Sequence, residues 1–158
     1  MSPDFTSLNV EARADQAVTY FKSGYNCAQA VYMAYADLFG MEPKTAAVIA
    51  APMGAGIGRM REVCGTVSGA ALVAGLAIPC ENPHDLASKT RCYALVQQVA
   101  EHFRQENGSI ICRELLGIAP VKESPAPSPR TEAYYKKRPC VELVHMSATF
   151  IGEALLTV

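Results

Sequence analysis

Four of the six cysteines in this sequence are placed where cysteine chemistry is expected, because each lies at the predicted start of a helix. They are Cys27, Cys64, Cys112 and Cys140. A helix N-terminus carries about half a positive charge and several free N–H groups, which stabilise a thiolate. The thiolate is the form of cysteine that attacks disulfides and binds soft metals. The placement therefore predicts redox or metal chemistry, with ordinary buried cysteines as the alternative.

Hydrophobic spacing indicates that these cysteines face the protein core. Cys27 begins a helical face that continues with Val31, and Cys140 begins a similar face in the last predicted helix. We expect the sulfurs to lie at the edge of the core, where several helix ends meet. Cys27, Cys64 and Cys112 are predicted to be close enough to share a metal or exchange a disulfide.

The spacing of the cysteines excludes the familiar local sites. The sequence contains no Cys-x-x-Cys and no Cys-x-x-Cys-His, so no zinc knuckle, thioredoxin-like dithiol or covalent haem is predicted. Any shared site must be assembled by the tertiary fold. Cys92 is predicted to be a core residue in the middle of a helix, and Cys80 follows Pro79 in a polar turn without an assigned role.

A glycine-rich turn precedes Cys64 and contains Gly54, Gly56 and Gly58. A dinucleotide fingerprint needs a third glycine where Arg59 stands, and a phosphate loop needs a lysine that is missing, so no nucleotide is predicted. The bare glycine amides suit either a tight turn or the approach of an anionic group. The neighbouring Arg59 and Arg61 fit the second interpretation.

The elements that carry these residues are predicted to be helices of one domain over residues 1–158. Helical periodicity recurs along the chain and no alternating strand pattern of useful length occurs, so we expect an all-α bundle of five or six helices. Gly24, Gly40 and Gly108 are typical helix stops. The predicted helices cover about 10–21, 26–39, 43–51, 61–77, 84–106 and 139–156, with a short helix after Ser109.

A proline-rich loop at about 119–137 separates Cys112 from Cys140. Loops of this length are usually functional or disordered. We expect it to cover the cysteine site as a movable flap, with Lys136, Lys137 and Arg138 near its hinge, where these cations would favour a thiolate at Cys140. A solvated linker is the alternative.

Composition narrows the class of protein. Half of the residues are hydrophobic and 18% are charged, which excludes a largely disordered chain. The net charge of −1 argues against nucleic-acid binding. The apolar run 63–80 is too rich in glycine for a membrane span, and the start of the sequence lacks the pattern of a secretory signal. We therefore expect a cytoplasmic protein in which any disulfide is catalytic or redox-sensing.

Four segments, taken in order, resemble the redox-active protein family named after the pattern C-GCAxxG-C-C. The resemblance covers roughly residues 10–150, and Thr66 stands where the family motif has alanine. It selects the same four cysteines as helix position does and leaves out Cys80 and Cys92. The matching segments are Gly24–Val31, the Cys64–Gly69 element within Gly54–Gly75, Ile111–Gly117 and Cys140–Val144.

The resemblance implies a redox function for the four cysteines. The family is also similar to part of the split-Soret cytochromes, in which an iron–sulfur centre accompanies haem, and four thiolates can hold such a cluster. Gly65 and Gly69 would then allow close helix approach around the site.

The leading hypothesis is electron transfer or redox sensing by an iron–sulfur cluster, with an unidentified electron partner. A thiol–disulfide protein and a non-redox module for soft metals are the alternatives. The sequence leaves open whether the protein is an enzyme and whether one chain or a homodimer completes the site.

Overall fold

The computed structural model describes residues 3–158, and within this range the fold is all-α. Two single 3₁₀ turns, at Asp37–Phe39 and Ala51–Met53, accompany eight α-helices. Residues 3–158 contain no strand, and the nearest feature is one isolated antiparallel bridge between Val63 and Ile111. The helices are α1 (Val10–Lys22), α2 (Cys27–Ala36), α3 (Pro43–Ala50), α4 (Gly65–Ala77), α5 (Leu86–Asn107), α6 (Cys112–Leu116), α7 (Glu132–Lys137) and α8 (Cys140–Leu155).

The all-α class is confirmed, but the predicted number of helices is too low. The short helix predicted after Ser109 is α6 (Cys112–Leu116), so α7 is the helix that was not predicted. Its six residues are too few for a hydrophobic period to show in the sequence. Helix α7 occupies the end of the segment that was predicted to be a loop through residue 137. It forms because the Thr131 side chain accepts a hydrogen bond from the Tyr134 backbone at 3.2 Å and so caps its start.

Helix α2 is the centre of the bundle. Eight of its ten residues are buried, and α1, α3, α4 and α8 pack around it. Many of the contact residues are alanines, which lets the helix axes approach closely. The hydroxyl of the fully buried Tyr35 donates to the Ala148 carbonyl at 2.6 Å, which satisfies the polar end of this core side chain and fixes α2 against α8.

Helices α4 and α5 form a hairpin on one side of α2. Helix α4 begins four residues later than predicted, because the preceding residues adopt a left-handed turn instead of extending the helix. Helix α5 is the longest element, capped by Asp85 and ended by Gly108 in the left-handed conformation. None of the helices within residues 3–158 combines the length and apolar character needed to cross a membrane.

Candidate functional site

The starts of four helices meet at one cavity of about 450 Å³. Cys27, Cys112 and Cys140 are the first residues of α2, α6 and α8, and Cys64 immediately precedes α4. All four line the cavity, whereas Cys80 and Cys92 do not. The structure thus brings together the four cysteines that helix position had selected in the sequence. All six cysteines are free thiols.

The position of Cys27 is fixed by the cap of α2. The Asn26 side chain accepts from the Gln29 backbone, and the Gln29 side chain accepts from the Asn26 backbone, both at 2.9 Å. This reciprocal capping box satisfies two free N–H groups at the helix start. The Asn26 amide also donates to the Ala51 carbonyl at 2.9 Å, which ties the helix start to the chain entering the glycine turn.

Cys64 and Cys112 are brought to the cavity by the short bridge between Val63 and Ile111. The Cys64 backbone donates to the Ile110 carbonyl at 2.7 Å, and the Cys112 backbone donates to the Glu62 carbonyl at 2.6 Å. These bonds join two segments far apart in the sequence. The starts of α4 and α6 are therefore held side by side.

Two glycines of α4 allow the close contact between α4 and α2. A Cβ atom added at Gly65 would overlap the Cys27 sulfur, and one at Gly69 would lie 2.7 Å from the Ala28 carbonyl oxygen. Next to them, the Thr66 hydroxyl lies 3.2 Å from the Cys64 sulfur. Thr66, which stands where the family motif has alanine, thus contacts the sulfur of Cys64.

The glycine turn is a run of left-handed backbone. Residues 55–59 all have positive φ, and so does Arg61. For the three non-glycine residues of the run, this conformation costs about 1–2 kcal/mol each in conformational free energy. The run places the Ala55 N–H against the Cys27 sulfur and leaves no room for a side chain at Gly56, whose added Cβ would lie 2.8 Å from the Cys112 Cβ. Strain of this kind concentrates at functional sites.

Four arginines provide all the charged side chains among the described residues that line the cavity. The most buried is Arg61, which is 3% exposed. Its Nη1 lies 3.7 Å from the Cys112 sulfur, and its Nε donates to Glu123 at 2.5 Å. The others are Arg59, Arg130 and Arg138. The cavity therefore favours a negatively charged occupant.

The expected stabilisation of thiolates by the helix starts is outweighed by burial. Burial raises the pKa of Cys27, and it raises the pKa values of Cys64 and Cys140 to about 12. The N–H groups near Cys27 and the Arg138 guanidinium near Cys140 lower the respective pKa values, but by less than burial raises them. Burial therefore opposes the thiolate form that the helix starts were expected to favour at these three positions.

The segment 119–137, here called the strap, lies against the cavity. Pro125, Pro127 and Ser128 line it, and Glu123 pairs with Arg61. Arg130 fastens the strap to the bundle by donating to the carbonyls of Phe21 and Tyr25, both at 2.9 Å. The strap thus occupies the position predicted for a flap, while its movement stays a prediction.

Of the three basic residues predicted near the hinge of the strap, Arg138 lines the cavity. Lys136 and Lys137 are exposed on α7 and are not among the lining residues. Three further residues at or beside the cavity were not predicted from the sequence: Glu123, Arg130 and Tyr134. Glu123 is the single acidic residue in the stretch 119–131, which was the one available signal for its role.

The sulfurs are not gathered as a site for a single metal ion. Within residues 3–158, no group of three or more cysteine, histidine, aspartate or glutamate side chains is arranged to hold one ion. A tetrahedral zinc site needs all its sulfurs at about 2.3 Å from the metal, and hence close to one another. The four cysteines thus line one cavity without forming a group of this kind among the described residues.

The fold and the cavity define an all-α protein with a four-cysteine site lined by arginines. A family model described as "Putative redox-active protein (C_GCAxxG_C_C)" matches residues 25–154, and the chain belongs to this family. Searches of curated proteins and of solved structures give no significant match.

Proposed function

We propose that the protein carries single electrons by holding an iron–sulfur cluster on Cys27, Cys64, Cys112 and Cys140. The observation that carries the proposal is the convergence of four helix-start cysteines on one arginine-lined cavity. The family description as redox-active supports the same function in general terms. The partners would be a reduced electron carrier on one side and an oxidised one on the other.

The residues fit such a cluster by their chemistry. Thiolates are the usual ligands of [2Fe–2S] and [4Fe–4S] clusters. A cluster bonds its thiolates through different iron atoms, so its ligands are spaced more widely than those of one zinc ion. Four cysteines line the cavity and would supply the four thiolates. When bound, the cluster would supply reversible one-electron chemistry with a potential set by charge, hydrogen bonds and exposure.

The arginines would balance the charge that the thiolates bring. The raised pKa values of Cys27, Cys64 and Cys140 mean that these thiols must lose protons when they bind a metal. Four nearby guanidinium groups lower the cost of placing that negative charge in a buried cavity. Arg61 makes the closest such contact, with the Cys112 sulfur.

The surroundings would limit the access of water and oxygen. Phe21, Leu115 and Leu143 contribute apolar lining, and so do Pro125 and Pro127 of the strap. A dry and mostly apolar wall protects a cluster and lowers the local dielectric constant, which is one of the determinants of its potential.

The alternative of a thiol–disulfide function is weaker on the same evidence. Disulfide exchange needs a thiolate as the attacking group. Three of the four cavity cysteines have raised pKa values, so few of their thiols are ionised at neutral pH. A zinc module is disfavoured by the lack of a group of ligands around one point within residues 3–158.

Anaerobic purification followed by an absorption spectrum and by iron and sulfide analysis tests the proposal. Wild-type protein, reconstituted with iron and sulfide where necessary, is expected to be brown and to contain both elements. The variants C64S and C112S should lose most of the iron, whereas the matched variants C80S and C92S should keep it. A colourless wild-type protein after reconstitution, or equal iron in all four variants, would refute the assignment.

A further inference from the structure

The carboxylate of Glu123 in the strap lies between two arginines of the glycine turn. Its Oε2 accepts a hydrogen bond from Arg61 Nε at 2.5 Å, and its Oε1 accepts from Arg61 Nη2 at 3.2 Å and from Arg59 Nη2 at 3.3 Å. The two bonds from Arg61 form the bidentate fork by which arginine holds carboxylates and phosphates. The two arginines are thus arranged as an oxyanion site, and a side chain of the protein itself fills it.

The glycine turn supplies this site through its side chains rather than through its backbone. Arg59 and Arg61 both have positive φ, a conformation that is costly for residues with a Cβ atom. The N–H groups of Ile57, Gly58 and Arg59 donate to carbonyls earlier in the same turn. These N–H groups are therefore not free to contact an anion, and the strained backbone instead holds two guanidinium groups around one carboxylate.

Glu123 does not satisfy all the buried donors of the two arginines. Arg61 is 3% exposed, and the Nε of Arg59 is buried without a hydrogen-bond acceptor within residues 3–158. A buried donor without a partner costs free energy. Both oxygens of the Glu123 carboxylate are already in use, whereas a tetrahedral oxyanion brings further oxygens that can accept hydrogen bonds.

We propose that Arg59 and Arg61 form a binding site for a free tetrahedral oxyanion of the sulfate or phosphate type, and that Glu123 occupies this site until the oxyanion displaces it. Glu123 belongs to an irregular segment, and its side chain is 23% exposed, so it can leave without disturbing a helix. The strap stays attached through Arg130, which donates to two carbonyls of the bundle. A doubly charged anion also suits the four arginines of the cavity better than one carboxylate does.

The oxyanion site lies beside the cysteines without using the same donors. Arg61 Nη1 is 3.7 Å from the Cys112 sulfur, whereas its Nε and Nη2 hold Glu123. An oxyanion and Cys112 would therefore contact different nitrogen atoms of one guanidinium group. The proposal does not depend on the cluster proposed above.

Titration of the full-length protein with sodium sulfate, followed by calorimetry at constant ionic strength, tests the proposal. The variant E123A removes the competing carboxylate, so it should bind sulfate about ten-fold or more tightly than wild type does. The matched control is E132A, which removes an exposed carboxylate of the same strap and should bind sulfate as wild type does.

A second arginine variant tests the site itself. Adding R59M to E123A should weaken sulfate binding about ten-fold or more, because one of the two guanidinium groups is lost. Arg59 is chosen because its side chain is 18% exposed, so that its replacement disturbs the fold less than that of the more buried Arg61.

Three results would overturn the proposal. Equal sulfate affinities of E123A and wild type would show that Glu123 does not occupy the site. Equal affinities of E123A with and without R59M would show that the anion binds elsewhere, and acetate binding to E123A as tightly as sulfate would exclude a preference for tetrahedral oxyanions. The titration does not depend on iron content, so its failure and that of the cluster assignment are distinguishable.

Discussion

The two ends of α4 show how position decides what a cysteine can do. At its start, Cys64 is buried in a cavity that is lined by three other cysteines and four arginines. Beyond its end, Cys80 is half-buried in a turn, where its thiol donates to the Ile78 carbonyl at 3.4 Å. The first environment gathers cysteines and arginines around one cavity, and the second lies outside that cavity.

The same helix also packs differently at its two ends. Near the start, Gly65 and Gly69 touch α2 so closely that an added Cβ would collide. Near the end, Gly75 has nothing within 4 Å of an added Cβ. Close packing and burial therefore go together at the cavity, whereas Gly75 is exposed and packs against no other element. The comparison shows that glycines within α4, and cysteines at its two ends, have different surroundings at the start and at the end of this helix.

The largest expected effect on stability comes from the substitution R61M. It removes a buried guanidinium and leaves Glu123 without its shortest ion pair and the Cys112 sulfur without its cationic neighbour. Loss of one partner of a buried pair costs about 3–5 kcal/mol, and the partly exposed Glu123 places this case near the lower end. Urea unfolding measures the difference.

The matched control for this variant is R104M, which removes an exposed pair with Glu101. Such a pair contributes less than about 1 kcal/mol. Equal unfolding midpoints for R61M and R104M would mean that the arginines do not organise the cavity.

The next prediction compares the effect on stability of one added methyl group at each end of α4. G65A should destabilise the protein by about 1–3 kcal/mol, because the added Cβ would overlap the Cys27 sulfur. G75A should instead stabilise it by about 0.5–1 kcal/mol, since alanine is the better helix former and meets no neighbour. Thermal unfolding of both variants gives the two signs, and two changes of the same sign would contradict the comparison.

Much of the site could be predicted from local sequence because helix starts are local features. Asn26 followed by Gln29, and Pro139 before Cys140, indicate where α2 and α8 begin. Because each of the four cavity cysteines lies at a helix start, they could be selected from the sequence before any tertiary contact was known. The proline content of the strap likewise indicated an irregular segment.

The parts that could not be predicted depend on distant contacts or on unusual backbone. Nothing local shows that Ala55 and Arg59 adopt positive φ, because residues with a Cβ rarely do. The contact between Arg61 and Glu123 joins residues 62 positions apart. Burial, which reverses the expected direction of the pKa shift at Cys64, is likewise a tertiary property.

Alkaline pH should destabilise the folded protein because of the buried Cys64 thiol. The raised pKa of Cys64 means that the folded state keeps its thiol protonated while the unfolded chain ionises above its ordinary value of about 9. Stability is therefore complete below about pH 9 and is lost as the pH rises toward about 12. Each such group contributes about 1.4 kcal/mol per pH unit in this window.

Urea unfolding of the reduced, metal-free protein at pH 8 and pH 10 measures this loss. The variant C64S should lose about 1 kcal/mol less than wild type between the two pH values, because serine does not ionise in this range. Identical pH dependence for C64S and wild type would show that burial of Cys64 does not set its ionisation.

The smallest effect concerns the strap and its attachment through Glu123. E123Q removes the charge that pairs with Arg61 and Arg59 but keeps an oxygen that accepts hydrogen bonds. Since the amide oxygen still accepts from the buried Arg61 guanidinium, only the attraction between the charges is lost. We expect a loss of about 0.5–1 kcal/mol in the free energy of strap opening, which corresponds to about two- to five-fold faster cleavage by trypsin after Arg130. The exposed Glu132 of the same strap offers the control E132Q, for which the cleavage rate should equal that of wild type. Cleavage at wild-type rate in E123Q would mean that Arg130, rather than Glu123, holds the strap over the cavity.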